Sequence, residues 1–530
     1  MSLHLGPLVF GQGGCAGKRI ECAHIPLEGG RILATSQILL LTVSAYPCGA
    51  VAALLMPPLL RWLGRMMREE EDPRVAVAWL AVAISCVECA CALWLLSRAA
   101  AARPAVIALG RYGFTVDTLG PMACTALSVV IALAGIAMVA DARAGRAAPV
   151  ALMVAGAAAV VALTGRDVRQ VLLAAEVMTA ALAFALARGA DKREGRRAAW
   201  LYWLAWQPGL ALVAVALLST CARAGITDVQ VVRDVIAIEA PANIAAMRML
   251  TLGCALALAL PMLPVVVRDI LSRHAAGGTI AAFCLGAGAL AWLFARTAYG
   301  MFPYAEAWEF ARRGWTLPLL AVASAAAFVG SALMRGPSDM ASLALAAQSL
   351  WPLVAFATGG REEGGFRVGL MFCAALPLSR AALLAVATSA SGAPYKISPK
   401  LKQLAGTAVV AVFAAGALWF PLRFRGWWVL PALAVLVAPA AWAAGRLSRF
   451  CETERPRIGT ASAAVAATAG LLALAALLPL PTGRAAAILA ARDLGVHMSF
   501  RPQNPGAPPP VNAPRTPERP LQAEGDPGAD

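Results

Sequence analysis

Charge is what this sequence has least of. Charged residues make up 14% of its 530 positions, against about 25% in an average soluble domain. Hydrophobic residues make up 60%, so a water-facing surface of the usual kind cannot be built. The chain also lacks a G-x-x-x-x-G-K-[ST] phosphate loop, a glycine-rich dinucleotide fingerprint in a strand–helix setting, and a convincing haem, flavin or iron–sulfur ligand set. Those absences argue against ATP hydrolysis or redox chemistry by this chain alone, and no cofactor or metal is predicted. A standard signal peptide is missing too, because the first long apolar run is too long for an h-region.

What is present is a series of apolar runs near spanning length. They lie at about 34–63, 75–97, 118–140, 148–164, 170–187, 198–222, 246–267, 275–298, 315–334, 338–358, 367–390, 403–422, 427–445 and 459–481. About fourteen transmembrane helices are predicted, and the fold class is an all-α polytopic membrane protein. The formal charge of +16 does not indicate nucleic acid, since Lys and Arg cluster in short stretches between the runs. Their excess falls in the odd-numbered loops, most densely at Arg188, Lys192, Arg193, Arg196 and Arg197. Those loops are predicted on the cytoplasmic or matrix side, with both termini opposite. The partner predicted directly is the lipid bilayer. Residues 226–245 read as an interfacial helix or loop, and residues 482–530 as a proline-rich, disordered tail.

An ionisable side chain at bilayer depth costs a few kcal/mol even on lenient insertion scales, so each one needs a reason. Glu176, in VLLAAEVMTAALAFA, has apolar neighbours on both sides and is a candidate for proton handling or ion pairing. Arg380, in ALPLSRAALLAVA, holds its proton too tightly to relay it, and suits electrostatic tuning or snorkelling. Glu88 lies among Cys86, Cys89 and Cys91, which read as packed or lipid-facing thiols. Asp117 stands where it would cap the third helix. Pro261 and Pro264 predict a break in the seventh run, and Pro421 one near the end of the twelfth. Beyond the first break lie Arg268, Asp269 and His274. Asp269 and His274 would sit about 140° apart on an ideal helix, so only an irregular turn would bring them together.

The order of these features resembles the antiporter-like membrane-arm subunits of respiratory complex I, which are related to the Mrp antiporters. The resemblance covers about 115–390. FTVDTLGPMACTALSVVIALAGIAMV is similar to the family's third helix, and TGRDVRQVLLAAEVMTAALAFAL to the helix bearing its essential glutamate, where Glu176 falls. LPMLPVVVRDILSRHAAGGTIAAFCLGAGALAWLFARTAYGMFP resembles the broken seventh helix and the eighth, with Asp269 on the turn aspartate and Arg296 on the closing arginine. GPSDMASLALAAQSLWPLVAFATGG is similar to the tenth helix, with Asp339 on its leading aspartate, and PLSRAALL to the M-type eleventh.

The resemblance implies two inverted five-helix repeats, at 148–298 and 315–445, preceded by an N-terminal segment, 1–33, and three helices within 34–147, and followed by a last helix at 459–481. It implies a subunit of a proton-translocating NADH-quinone oxidoreductase or a related complex, in a bacterial inner membrane or mitochondrial-type membrane, with other membrane-arm subunits as partners. Glu176, Arg380, Asp269 and His274 become its candidate proton-translocation residues. The family's row of lysines and histidines is largely missing: the lysine positions fall near Ala257 and about Gly288, the eleventh-helix histidine at about Leu376, and no lysine occurs between Lys192 and Lys396. A free-standing transporter and a non-conducting structural subunit are the alternatives.

Overall fold

The computed structural model describes residues 29–67, 73–101, 105–109, 112–140, 145–188, 192–229, 231–232, 241–273, 276–302, 316–334, 337–359, 363–389, 460–477, 488–490 and 493. Helices α1 (Gly29–Met67), α2 (Pro73–Ala101), α3 (Leu119–Ala140), α4 (Ala147–Thr164), α5 (Val168–Ala187) and α6 (Lys192–Ala224) follow the first six apolar runs. The seventh run is broken as its prolines predict. Helix α7 (Pro241–Ala259) tightens into a 3-10 turn at Leu260–Met262, and α8 (Pro264–Arg273) leaves from it. Proline at 261 and 264 removes the amides that would continue the ladder.

The eighth run is α9 (Ala276–Ile280), a π turn at Ala281–Leu285, and α10 (Gly286–Met301). Then come α11 (Thr316–Leu333), α12 (Pro337–Ser349), α13 (Trp351–Gly359), α14 (Glu363–Ser389) and α15 (Thr460–Leu477). Among the described residues, nine helices are long and apolar enough to cross a membrane, with shorter apolar helices at Leu319–Ser331, Ala341–Phe356 and Ala464–Ala473. The chain is an all-α polytopic membrane protein. The predicted runs at 403–422 and 427–445, with Pro421, lie outside the described residues.

The central element is the eighth run, in which every residue of α10 is buried. Helices α3, α7 and α14 pack around it. The outer helices carry apolar side chains outward, including Leu54 and Leu55 on α1, Leu173 on α5 and Val265 on α8, as lipid or a partner subunit requires.

One structure was not foreseen: a two-stranded antiparallel hairpin, β1 (Ala105–Leu109) and β2 (Tyr112–Val116). It joins the loop after α4, where the Arg166 amide donates to the Gly113 carbonyl at 3.0 Å. That loop in turn takes up the loop after α6, with Val168 N donating to Thr227 O and Val229 N to Arg166 O, both at 2.9 Å. An ion pair between Arg166 and Asp228 closes the same corner. Part of the predicted 226–245 segment is thereby a bonded loop, while Arg233, Asp234 and Glu239 lie outside the described residues. Within the predicted tail, residues 488–490 and 493 are helical. Ala490 is buried, and Asp493 accepts hydrogen bonds from the amide and hydroxyl of Thr118 at 2.9 and 2.5 Å. The proline-rich end beyond them lies outside the described residues.

Candidate functional site

Glu176 owes its position to the start of its helix. Asp167 caps α5, its Oδ1 accepting from the Arg169 amide at 2.7 Å while Oδ2 accepts from the Thr227 hydroxyl at 2.9 Å. About two and a half turns on, Glu176 faces α6 and is half-buried. The Gln207 side-chain amide donates to its Oε2 at 3.3 Å. The sequence showed apolar neighbours only, because Gln207 comes from another helix. Leu173 and Val177, on the outward side of α5, are exposed, so the carboxyl lies at the margin of an apolar outer surface.

Arg380 is fully buried on α14 and is the hub of three breaks. Its Nη1 donates to the Phe283 carbonyl at 3.0 Å, inside the π turn. Its Nη2 bonds the Ser349 hydroxyl and makes longer contacts to the carbonyls of Leu258 and Leu345, at 3.5 and 3.4 Å. Leu258 lies in the last turn of α7, which ends at Ala259, and Leu345 in the last turns of α12, which stops at Ser349. Helix C-termini leave carbonyls without intrahelical partners and carry partial negative charge, so a guanidinium is a fitting cap there. Tyr202 of α6 adds a bond to the Ala282 carbonyl at 2.6 Å. Snorkelling, the plain alternative for Arg380, does not occur. No hydrogen bond or ion pair joins Arg380 to Glu176 among the described residues.

Asp269 lies on α8, and His274 lies outside the described residues. The neighbour of Asp269 proves informative. Arg268 donates to Asp339 from Nε at 3.1 Å and from Nη2 at 2.6 Å, a two-pronged pair that ties α8 to the first turn of α12. Sequence reasoning placed Asp339 on a family position without finding this partner, 71 residues away.

Asp117 does cap α3: its Oδ1 accepts from the Gly120 amide at 2.7 Å. It is buried, as is Arg296, whose Nη2 makes a long contact to the Thr164 carbonyl at 3.4 Å. Burial pushes the Asp117 carboxyl above its ordinary value, against the opposing pull of Arg296 and the Gly120 amide, while Asp493 adds to the rise.

The positions where the family's lysines fall are closed by helix packing. A Cβ on Gly209 would come within 2.3 Å of the Ala257 nitrogen, so the backbones of α6 and α7 touch there. A Cβ on Gly288 would meet Leu127 Cδ2 at 2.8 Å and Pro377 Cβ at 3.0 Å. Leu376 borders a gap of about 10 Å³ with Gln348, Trp351 and Ser379.

No protein-family model and no curated protein matches the chain. Solved structures do match. A chain of the Mrp complex from Dietzia sp. DQ12-45-1b is 15% identical with a TM-score of 0.62, covering 86% of this chain and 99% of that one. A chain of respiratory complex I from Thermus thermophilus is 17% identical with a TM-score of 0.63, covering 86% and 99%. A chain of the membrane-bound sulfane sulfur reductase, an archaeal respiratory membrane complex, is 15% identical with a TM-score of 0.63, covering 88% and 99%. The chain shares its fold with chains of these three membrane complexes, at low identity.

Proposed function

We propose that this chain, built on the fold of antiporter-like membrane-arm subunits, belongs to a complex I-like assembly and contributes to proton translocation coupled to electron transfer in partner subunits. The observation that carries the reading is a fold match over nearly the full length of chains from three multi-subunit membrane complexes. Fourteen spans, two inverted repeats and a bacterial inner or mitochondrial-type membrane belong to the same reading. Glu176 is its proton-carrying residue, and Arg380 fixes the broken helices and supplies a permanent positive charge to the second half. Asp269 and His274 complete the set on the connection beyond the seventh-run break.

A second reading, a non-conducting scaffold, has its own support. Gln207 is a neutral partner for Glu176, and the packing at Gly209 and Gly288 leaves no room for long basic side chains. The variant Glu176→Gln separates the two. In membrane vesicles carrying the whole assembly, the first reading expects proton translocation to fall severalfold while complex abundance holds. Unchanged translocation establishes the scaffold.

A further inference from the structure

A second set of polar groups lies in the first four helices, away from Glu176, and centres on Glu88. Its side chain is fully buried on α2, yet neither carboxyl oxygen has a hydrogen-bond partner. A carboxyl in that state is unfavourable unless it carries a proton or meets water. Ser85, Glu88 and Ala92 are all buried, and their spacing of three and four places them along one stripe of the helix. Each flanking residue leads to a water-sized gap.

Ala92 lines a gap of about 10 Å³ with Thr42, Thr115, Cys124 and Thr164. The Thr115 hydroxyl is buried and has no partner. Ser85 faces the Tyr46 hydroxyl. Tyr46 donates to Ser128 at 3.3 Å, and both line a second gap of about 10 Å³. About 10–15 Å³ with two or more polar partners is the room one water needs. Cys124 is a wall of both gaps, and Asp117, beside Arg296, lies within Coulombic range of that thiol.

We propose that Glu88 is a proton-binding site fed from the Asp117 end of α3, through one water beside Thr115 and Cys124 and a second between Cys124 and the Tyr46–Ser128 pair. The titratable groups facing Glu88 are Tyr46 on α1, Cys124 on α3, and Cys89 and Cys91 on its own helix. Among the described residues no basic side chain pairs with it, and no cluster of three or more His, Cys, Asp or Glu forms around it, so the site suits a proton rather than a metal cation. The track meets the eighth run only at Arg296 and does not include Glu176, and its test does not depend on partner subunits.

Dicyclohexylcarbodiimide, an apolar reagent, tests this directly. It reacts with protonated carboxyls: the carboxyl oxygen bonds the carbodiimide carbon, its proton moves to nitrogen, and the acyl group then migrates to nitrogen. The full-length chain in native membranes is treated across a pH series and the modified residue located by mass spectrometry. The Glu88 peptide is expected to carry the reagent, with labelling falling about tenfold per pH unit once the carboxyl ionises. Replacing choline with sodium at fixed pH is expected to leave labelling unchanged. The infrared carbonyl band absent from Glu88→Gln should shift in D₂O, several times more slowly in Tyr46→Phe and Thr115→Val. Glu88→Asp should still be labelled, which separates chemistry from folding. Absence of label at Glu88 in the wild-type chain, labelling indifferent to pH, or protection by sodium would each overturn the proposal.

Discussion

At the scale of single residues, two buried guanidinium groups meet backbone carbonyls. Arg380 answers the carbonyl ends of broken helices, and Arg296 contacts the Thr164 carbonyl beside Asp117. Asp117 carries a prediction of sign. Burial raises its carboxyl in the folded chain, so the folded state holds its proton more tightly than the unfolded state. The stability this confers is complete below the ordinary carboxylate value and is lost as pH rises through the raised folded value. Asp117→Asn keeps an oxygen for the Gly120 amide while removing the titration. Thermal midpoints in detergent, followed over that pH range, should decline more for the wild type than for Asp117→Asn. Asp117→Ala should lose a further ~1 kcal/mol at every pH, through the missing cap.

At the scale of elements, close approach of backbones decides what the interior can hold. Gly209 and Ala257 bring α6 and α7 into contact, a device membrane helices use where small residues meet. Gly209→Ala must push these helices apart, and about 1–3 kcal/mol of destabilisation is expected, read as a lower unfolding midpoint in detergent. Because Gln207 on α6 bonds Glu176 on α5, the same variant should also weaken that contact. The Arg268–Asp339 pair is a looser tie, since the Arg268 side chain is 63% exposed and an exposed pair contributes little. The break itself was legible: Pro261 and Pro264 announced it. The π turn at Ala281–Leu285 was not, because no local residue type marks it, whereas the hairpin at Ala105–Val116 was marked by β-branched and aromatic residues on either side of a two-residue Gly-Arg link.

For the whole molecule, the outward apolar faces bear on assembly. Leu173 on α5 and Val265 on α8 are 67% and 72% exposed, an arrangement suited equally to lipid and to a neighbouring subunit. Mild-detergent extraction of native membranes, followed by mass spectrometry, should recover this chain with other membrane subunits and redox partners at fixed ratio. Recovery of the chain alone would instead favour a free-standing transporter.

The apolar runs, the proline break and the scarcity of charge were determined by the sequence alone. Bilayer hydrocarbon imposes a length and a composition on each span that can be read without knowing its neighbours. Glu176 and Arg380 stood out for the same reason, as charges in apolar surroundings. What surrounds them was decided only by tertiary structure: Gln207 against Glu176, three carbonyls and a hydroxyl around Arg380, and backbone where lysines would stand. Glu88 shows the difference most sharply. In sequence it was one carboxyl among cysteines. Its burial without a hydrogen-bond partner, on the same stripe of α2 as Ser85 and Ala92, depends on the first four helices meeting, and burial of a polar group acquires its cost only when those neighbours close around it.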